Sequence, residues 1–465
     1  MGLPTNHECI APFVTLKPPK DVTNNKLLAD EMNVIACCRV SVRETDIFRL
    51  WLRYYRPHVK MIAVVIVLEN NDSAEELETL CNEHGATYRI EPTNWYKPGE
   101  SLAQLTELVL DLDGNFSWIL HADSDEFLGE IGNLSLIIEA LESEGADYAM
   151  AWMADRLGFG GRLADLSEVG SFEELDATFP VRTAITERLA LGCATKVCLS
   201  RWPYMGDSHH PKPPLHVKSK QRLTFEHFKW RTGLHERLAK RIRDHKASML
   251  PWGCESQRLL EELDTYGRFR AERFLAPRSK RIHGWMDYED IYLDVVNRTP
   301  EGGHLVEIGV WQGRSICFLA EAALAAGKRL RIDAIDPFKG FPVSKTGYPD
   351  SLRELVTKHS WIDVVSSNLR RAGVLDQINL IQARSPDAAG MYKELSLDFV
   401  WLDRGNDYAS IVSDIEAWWQ YIKPGGLLGG HNYERGHVKK AVKERLPRGS
   451  HLDERGNSFL IAKMC

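Results

Sequence analysis

Two groups of residues in this 465-residue chain have types and spacings that can do chemistry. The first is Asp123-Ser124-Asp125, which follows directly on the apolar run Trp118-Ile119-Leu120-His121-Ala122. Two carboxylates one residue apart at the tip of a buried strand can share Mg²⁺ or Mn²⁺, and the ion can in turn grip a diphosphate. Standing alone, the triplet also reads as a solvated acidic turn. The second is Val306-Glu307-Ile308-Gly309-Val310-Trp311-Gln312-Gly313-Arg314-Ser315. Here an apolar run enters a glycine turn that opens a helix. Glycine lets the backbone pass close to a ligand, and the helix start presents free N–H groups. Asp336 lies 27 residues beyond Gly309, near the roughly 20 expected of a carboxylate that accepts ribose hydroxyls at the next strand tip. The turn lacks the close pair of glycines that a pyrophosphate requires, which argues against a dinucleotide.

These residues need a scaffold that presents strand tips. Apolar runs at residues 33–38, 61–68, 87–90 and 117–121 alternate with helical periodicity at 45–55, 74–84 and 101–110. Ser73 is placed to cap the second of these helices. The alternation predicts a parallel α/β sheet, whose ligands gather at the carboxyl ends of the strands. Residues 151–231 give mixed signals, and residues 234–278 read as charged helices closing the first unit. A fresh α/β pattern then begins. Strands are expected at 304–308, 331–335, 378–381, 397–402 and 427–429, and helices at 288–296, 315–326, 411–421 and 438–443. The fold class is therefore α/β with two domains, at residues 30–280 and 281–465, and a boundary near 277–281.

Composition narrows the class. Hydrophobic residues at 44% and charged residues at 26% are ordinary for a globular chain with a real core. A net charge of −7 argues against nucleic acid as a partner. The basic runs at 218–222 and 237–243 read as solvated helix faces. No stretch of about 18 apolar residues predicts an integral membrane segment. The nine cysteines are scattered, with Cys37 and Cys38 inside an apolar run, so a reducing cytoplasm is expected.

The later motifs of the second half add to the glycine turn and Asp336. They are Asp398-Phe399-Val400-Trp401-Leu402-Asp403, then Asp407-Tyr408, then Lys423-Pro424-Gly425-Gly426 leading to Gly430-His431-Asn432-Tyr433. Together, over residues 282–463, they resemble the class I S-adenosylmethionine (SAM) methyltransferases, and most closely the subgroup acting on hydroxyls of small molecules and sugars. The resemblance implies a doubly wound Rossmann-like domain in which Glu307, Gly309, Ser315 and Asp336 contact SAM, Gly313 shapes the loop, and residues 382–385, Ser385 among them, line the adenine side. Asp403, also on the cofactor side, or His431 would act as base on the acceptor hydroxyl. Where that subgroup often carries His and Asp to hold a divalent metal, this chain has Asn406 and Asn432, and amide oxygens are weak, uncharged ligands.

The first half, over residues 33–243, resembles GT-A glycosyltransferases related to family two. The likeness rests on the strand running into Asp123-Ser124-Asp125-Glu126-Phe127, on Arg39 and Arg43-Glu44, and on Asn70-Asn71-Asp72-Ser73. Asp155-Arg156 with Gly160-Gly161, Lys196-Val197, His209-His210 and His227-Phe228-Lys229-Trp230 follow in the family's order. It implies that Asp123 and Asp125 hold Mn²⁺ or Mg²⁺ and the sugar diphosphate, with His227 completing the metal shell. Arg39, Glu44 and Asn70 would bind the nucleotide sugar, and Asp155 or Glu126 would take the acceptor proton. The expectation is a bifunctional enzyme that transfers a sugar from a nucleotide sugar, with inversion, and a methyl group from SAM to a hydroxyl of a glycan or glycosylated small molecule. The alternatives are a methyltransferase with an inactive glycan-binding module, or a glycosyltransferase with a scaffolding SAM fold.

Overall fold

The computed structural model describes residues 33–69, 72–93, 98–112, 116–202, 215–248, 252–340, 360–404 and 407–464. Asn70, Asn71, His209, His210 and Asn406 lie outside the described residues. Among the described residues no helix is long and apolar enough to cross a membrane.

Two mixed sheets organise the chain. The first contains β1 (Val34–Ser41), β2 (Met61–Glu69), β3 (Thr87–Thr93), β4 (Trp118–His121), β5 (Glu126–Leu128), β6 (Tyr148–Leu157), β7 (Val181–Thr183), β8 (Thr195–Ser200) and β9 (Leu223–His227). Its order is β3-β2-β1-β4-β8-β6-β9-β5, with β7 beside β6. Strands β1 to β4 pair in parallel, as the strand–helix alternation predicts. The wholly parallel sheet is corrected beyond that point. β8 runs antiparallel to β4 and β6, and β5 antiparallel to β9. Strands β6, β8 and β9 fall in the mixed stretch because they carry charges inward: Asp155, Arg156, Lys196 and Glu226 are all buried. Internal charge breaks the apolar pattern by which strands are recognised.

Helix Thr45–Tyr55 forms over the span its periodicity marks and buries Ile47, Phe48, Trp51, Leu52 and Tyr55 against the sheet. Helix Glu75–Glu83 starts on Ala74, and Ser73 Oγ accepts only the Glu75 N–H at 3.3 Å, so the expected cap is weak. Cys37 and Cys38 are free thiols, each 1% exposed. The basic run at 218–222 is extended chain leading into β9 rather than a helix face, whereas the run at 237–243 lies in helix Leu234–Ser248.

The second sheet holds β10 (His304–Ile308), β11 (Arg331–Asp336), β12 (Ile378–Gln382), β13 (Leu397–Leu402), β14 (Ile422–His431), β15 (Ser450–Arg455) and β16 (Ser458–Lys463). The order is β12-β11-β10-β13-β14-β16-β15, and β16 is antiparallel to both neighbours. The chain leaves β10 first to one side and later to the other. The crevice outside the carboxyl ends of β10 and β13 is therefore the switch point where a doubly wound sheet takes its ligand.

The two sheets share a core. Helix Arg314–Ala326 is buried along the whole of Ser315–Ala325. One apolar cluster runs from Leu157, Val181 and Ile185 of the first sheet region to Ile316, Leu319 and Trp401 of the second. At the far end of that helix Gly327 faces Gly160, and a Cβ on either would stand 3.0 Å from the other's Cα. Gly160 is thus a packing glycine between the two halves.

Candidate functional site

The second crevice forms because its backbone leaves no room for side chains. Gly309 follows β10 with φ +92°, a conformation that L side chains rarely adopt. A Cβ there would lie 2.4 Å from the Asp403 carbonyl oxygen beyond β13. Gly313 has φ +91° and caps helix Arg314–Ala326. Asp336, at the tip of β11, accepts the Val310 N–H at 3.0 Å and the Phe338 N–H at 2.7 Å. It straps the glycine turn to its own strand. Among the described residues, three of the five non-glycine residues with positive φ, Trp311, Phe338 and Asn432, sit at this same edge, each just past a strand tip. Such conformations collect where a site is held in one geometry.

Behind the turn, Glu307 is fully buried. It accepts hydrogen bonds from Ser315 Oγ and Tyr292 Oη, both 2.6 Å. Burial pushes its carboxyl up to about 8. Both oxygens are engaged, so Glu307 and Ser315 brace the loop from within. Ser385 is likewise turned inward, donating to Asp414 at 2.5 Å and accepting from Trp418 Nε1 at 2.9 Å. Gln382, in register with Asp336, and Arg384 are the exposed members of the 382–385 segment.

Beside the turn stands a chain of polar side chains. Tyr288 donates to Asp403 Oδ2 at 2.7 Å, and His431 Nδ1 lies 3.4 Å from Asp403 Oδ1. His431 Nε2 meets Asp287 at 2.9 Å and Asn457 at 3.0 Å. Burial alone would lower the imidazole pKa, but Asp403 and Asp287 outweigh it and raise it. The segment before helix Glu289–Arg298 also supplies Trp285, which is 64% exposed beside His283 and Trp311. Tyr288, Asp287 and Trp285 are not marked by any motif. The only signal for them is an aromatic-rich stretch just before a helix.

The first sheet brings a second set together at its own switch point, between β1 and β4. Asp123 Oδ1 lies 3.4 Å from Arg39, and Asp123 Oδ2 lies 2.7 Å from Lys196 Nζ. Lys196 also holds Glu126 at 2.7 Å, and Glu126 accepts the Asp123 backbone N–H at 2.8 Å. Burial would lower the lysine pKa, yet these two carboxylates raise it. Glu126 is itself only 3% exposed, and burial raises its carboxyl. Glu44 is raised first by burial and then by Asp125.

His227 stands between two carboxylates, with Nε2 3.8 Å from Asp125 and Nδ1 2.8 Å from Asp155. Asp155 is fully buried and further accepts from Trp230 Nε1, the Thr186 N–H and Thr186 Oγ1. With four donors on two oxygens, Asp155 orients His227 and does not face open space. Arg231, 2% exposed, has Nη2 without a hydrogen-bond partner and lies close enough to Glu44 to lower its carboxyl. Lys196, named among the motifs of the resemblance, joins this site, as does Arg231, which no motif marks. Among the described residues no group of three or more His, Cys, Asp or Glu is arranged to hold a metal ion.

Residues 306–433, which contain Gly309, Asp336, Asp403 and His431 of the second crevice, match the family described as a methyltransferase domain. No curated protein matches the chain's sequence. Among solved structures, the O-methyltransferase NovP is 22% identical, over 38% of this chain and 79% of that one, with a TM-score of 0.29. An O-methyltransferase from Bacillus cereus in complex with SAH is 16% identical, over 38% and 81%, at 0.28. A methyltransferase from Geobacter sulfurreducens is 14% identical, over 39% and 80%, at 0.27. With scores this low the weight rests on the domain match, and the chain carries a methyltransferase domain.

Proposed function

We propose that this domain, from about residue 281 onward, transfers a methyl group from SAM to a hydroxyl oxygen. The observation that carries the reading is the glycine turn at Gly309, closely packed on Asp403, with Asp336 on one strand tip and Asp403 and His431 on two others around it. SAM fits these residues. Asp336 has carboxylate lone pairs left for ribose hydroxyls, and Gly309 and Gly313 let the turn pack tightly at the strand tips, against Asp403 and against Val365 and Leu369. When bound, SAM supplies a methyl on a positive sulfur and leaves as a neutral thioether. The acceptor oxygen then loses its proton to this chain, at His431 Nδ1 or Asp403 Oδ1, with Asp287 and Tyr288 holding those two groups in place. Labelled methyl from SAM should appear on a hydroxylated acceptor with wild-type protein and fall sharply with His431→Ala. Absence of SAM binding by calorimetry would overturn the reading.

We further propose that the first sheet is a nucleotide-sugar unit of the glycosyltransferase kind. Its support is the convergence of Arg39, Asp123, Asp125, Glu44 and the unpartnered Arg231 Nη2 at one strand edge. Asp123 is already neutralised by Lys196 and Arg39. The donor set therefore fits a metal carried in on a diphosphate, with Asp125 and His227 as its protein ligands, better than a preformed protein cage. The double pairing of Asp123 also favours a second reading, in which this unit binds a glycan or nucleotide without transferring sugar. Mn²⁺-dependent UDP binding that Asp125→Ala removes supports the first reading. Binding that ignores Mn²⁺ and Asp125 supports the second.

A further inference from the structure

The extended chain at 217–222 carries a feature that neither site uses. Because alternate side chains of an extended segment share a side, Lys218, Lys220 and Arg222 all stand exposed while Ser219 turns inward to Glu144 at 2.6 Å. These three cations form one wall of a cavity of about 770 Å³. Arg188 joins them, and among the described residues none of the four has an ion-pair partner. Arg182, Lys280 and Arg281 complete the ring, so the cavity holds seven cations and one acid, Glu130. Glu130 is already taken by Arg281 at 2.7 Å, and Arg182 is 7% exposed and fixed by Glu226 at 3.2 Å.

The cavity is separate from the Asp123 site. Trp152, Thr195 and Thr224 line it, whereas Lys196, Asp155 and His227 occupy the alternate positions of the same strands. The pleat sends those two sets to opposite faces of the sheet. A chain of net charge −7 that concentrates cations here has built self-repulsion into one place. Its size is that of a small-molecule site, and arginine forks match phosphate oxygens in pairs.

We propose that this cavity binds a compact polyphosphate-bearing ligand, of the size of a nucleoside di- or triphosphate. The site stands independently of the methyl- and sugar-transfer readings. Its test is calorimetry on the full chain in EDTA, with inorganic pyrophosphate, UDP and ATP as probes at low and physiological salt. Wild type should bind at least one probe. Tighter binding of ATP or UDP than of pyrophosphate means the nucleoside adds contacts, and equal binding means the phosphates alone are read. The triple variant K218E/K220E/R222E should bind at least about tenfold more weakly while keeping SAM binding, which reports that the chain is folded. Asp125→Ala should leave this binding unchanged. The proposal is overturned if no probe binds wild type, if the triple variant binds as wild type does, or if only a single-stranded oligonucleotide binds.

Discussion

Replacing Gly309 with alanine tests whether the crevice between β10 and β13 is what admits the cofactor. The new Cβ would sit 2.4 Å from the Asp403 carbonyl oxygen and 2.9 Å from the Arg404 Cβ. A carbon and a carbonyl oxygen rest at about 3.3 Å or more, so the two strand tips must part by roughly 0.9 Å. The φ of +92° adds about 1–2 kcal/mol for an L residue, and the forced repacking about 1–3 kcal/mol. Gly302 supplies the control: its φ is +73°, but nothing lies within 4 Å of a Cβ there. Gly302→Ala should cost only the backbone part. In urea unfolding, Gly309→Ala should lose about 2–5 kcal/mol and Gly302→Ala about 1–2 kcal/mol. A displacement near 1 Å at the site should weaken SAM about tenfold to a hundredfold, read by calorimetry, with Gly302→Ala unchanged. If Gly309→Ala binds SAM with the wild-type Kd, or is no less stable than Gly302→Ala, the crevice is not the binding site.

Glu307, raised to about 8 in the fold, holds a proton that the unfolded chain releases at about 4.3. Its contribution is present at low pH and is lost as pH rises through about 8, so Glu307→Gln should flatten the fall in stability between pH 5.5 and 8.5. An unchanged slope refutes the assignment. Asp287 helps raise the pKa of His431, and the base form of that imidazole grows as pH rises. Asp287→Asn should move the rise of methyl transfer to lower pH, and a profile that stays in place removes Asp287 from the site. Asp155→Asn leaves four donors facing one carbonyl oxygen. It should cost about 1–3 kcal/mol and remove Mn²⁺-dependent UDP binding. Retained binding would place His227 outside that site.

How far the sequence carries the reader depends on what each residue does besides chemistry. Helix Thr45–Tyr55 and strand β13 were legible to the residue because their apolar positions repeat, and β10 was legible despite its buried Glu307 because the glycine turn follows it directly. The glycine turn and Asp336 were legible for a related reason: positive φ and strand-tip carboxylates restrict residue type locally. Strands β6, β8 and β9 were not, because Asp155, Lys196 and Glu226 face inward where an apolar side chain is expected. Partnership was equally hidden. Glu307 and Ser315 satisfy each other, and Asp155 saturates itself on His227, Trp230 and Thr186. No spacing along the chain distinguishes a carboxylate that faces a ligand from one that orients a neighbour.

The boundary expected near residue 281 would cut through shared packing. Helix Arg314–Ala326 opens at the glycine turn and is buried all round, its buried residues apolar but for Ser315 and Glu321. A helix of that kind needs cover on every side. Its own sheet and helix Glu289–Arg298 cover part of it. The rest is covered by the turn Phe159–Gly161, by β7 and by the linker. In the linker the Arg278 and Ser279 N–H groups are held by Glu321 of that helix, at 2.6 and 3.2 Å. Arg278 also ties the linker to Asp176, at 2.8 Å, and so to Arg156 within the first sheet. A fragment beginning at residue 281 keeps every residue of the second crevice but loses that cover, and it leaves Glu321 buried without its donors. The fragment should therefore bind hydrophobic dye, associate, and take up SAM more weakly than the full chain, as read by dye fluorescence, light scattering and calorimetry. A monomeric fragment with cooperative unfolding and the full chain's SAM affinity would show that the shared core is dispensable and that the two halves merely touch.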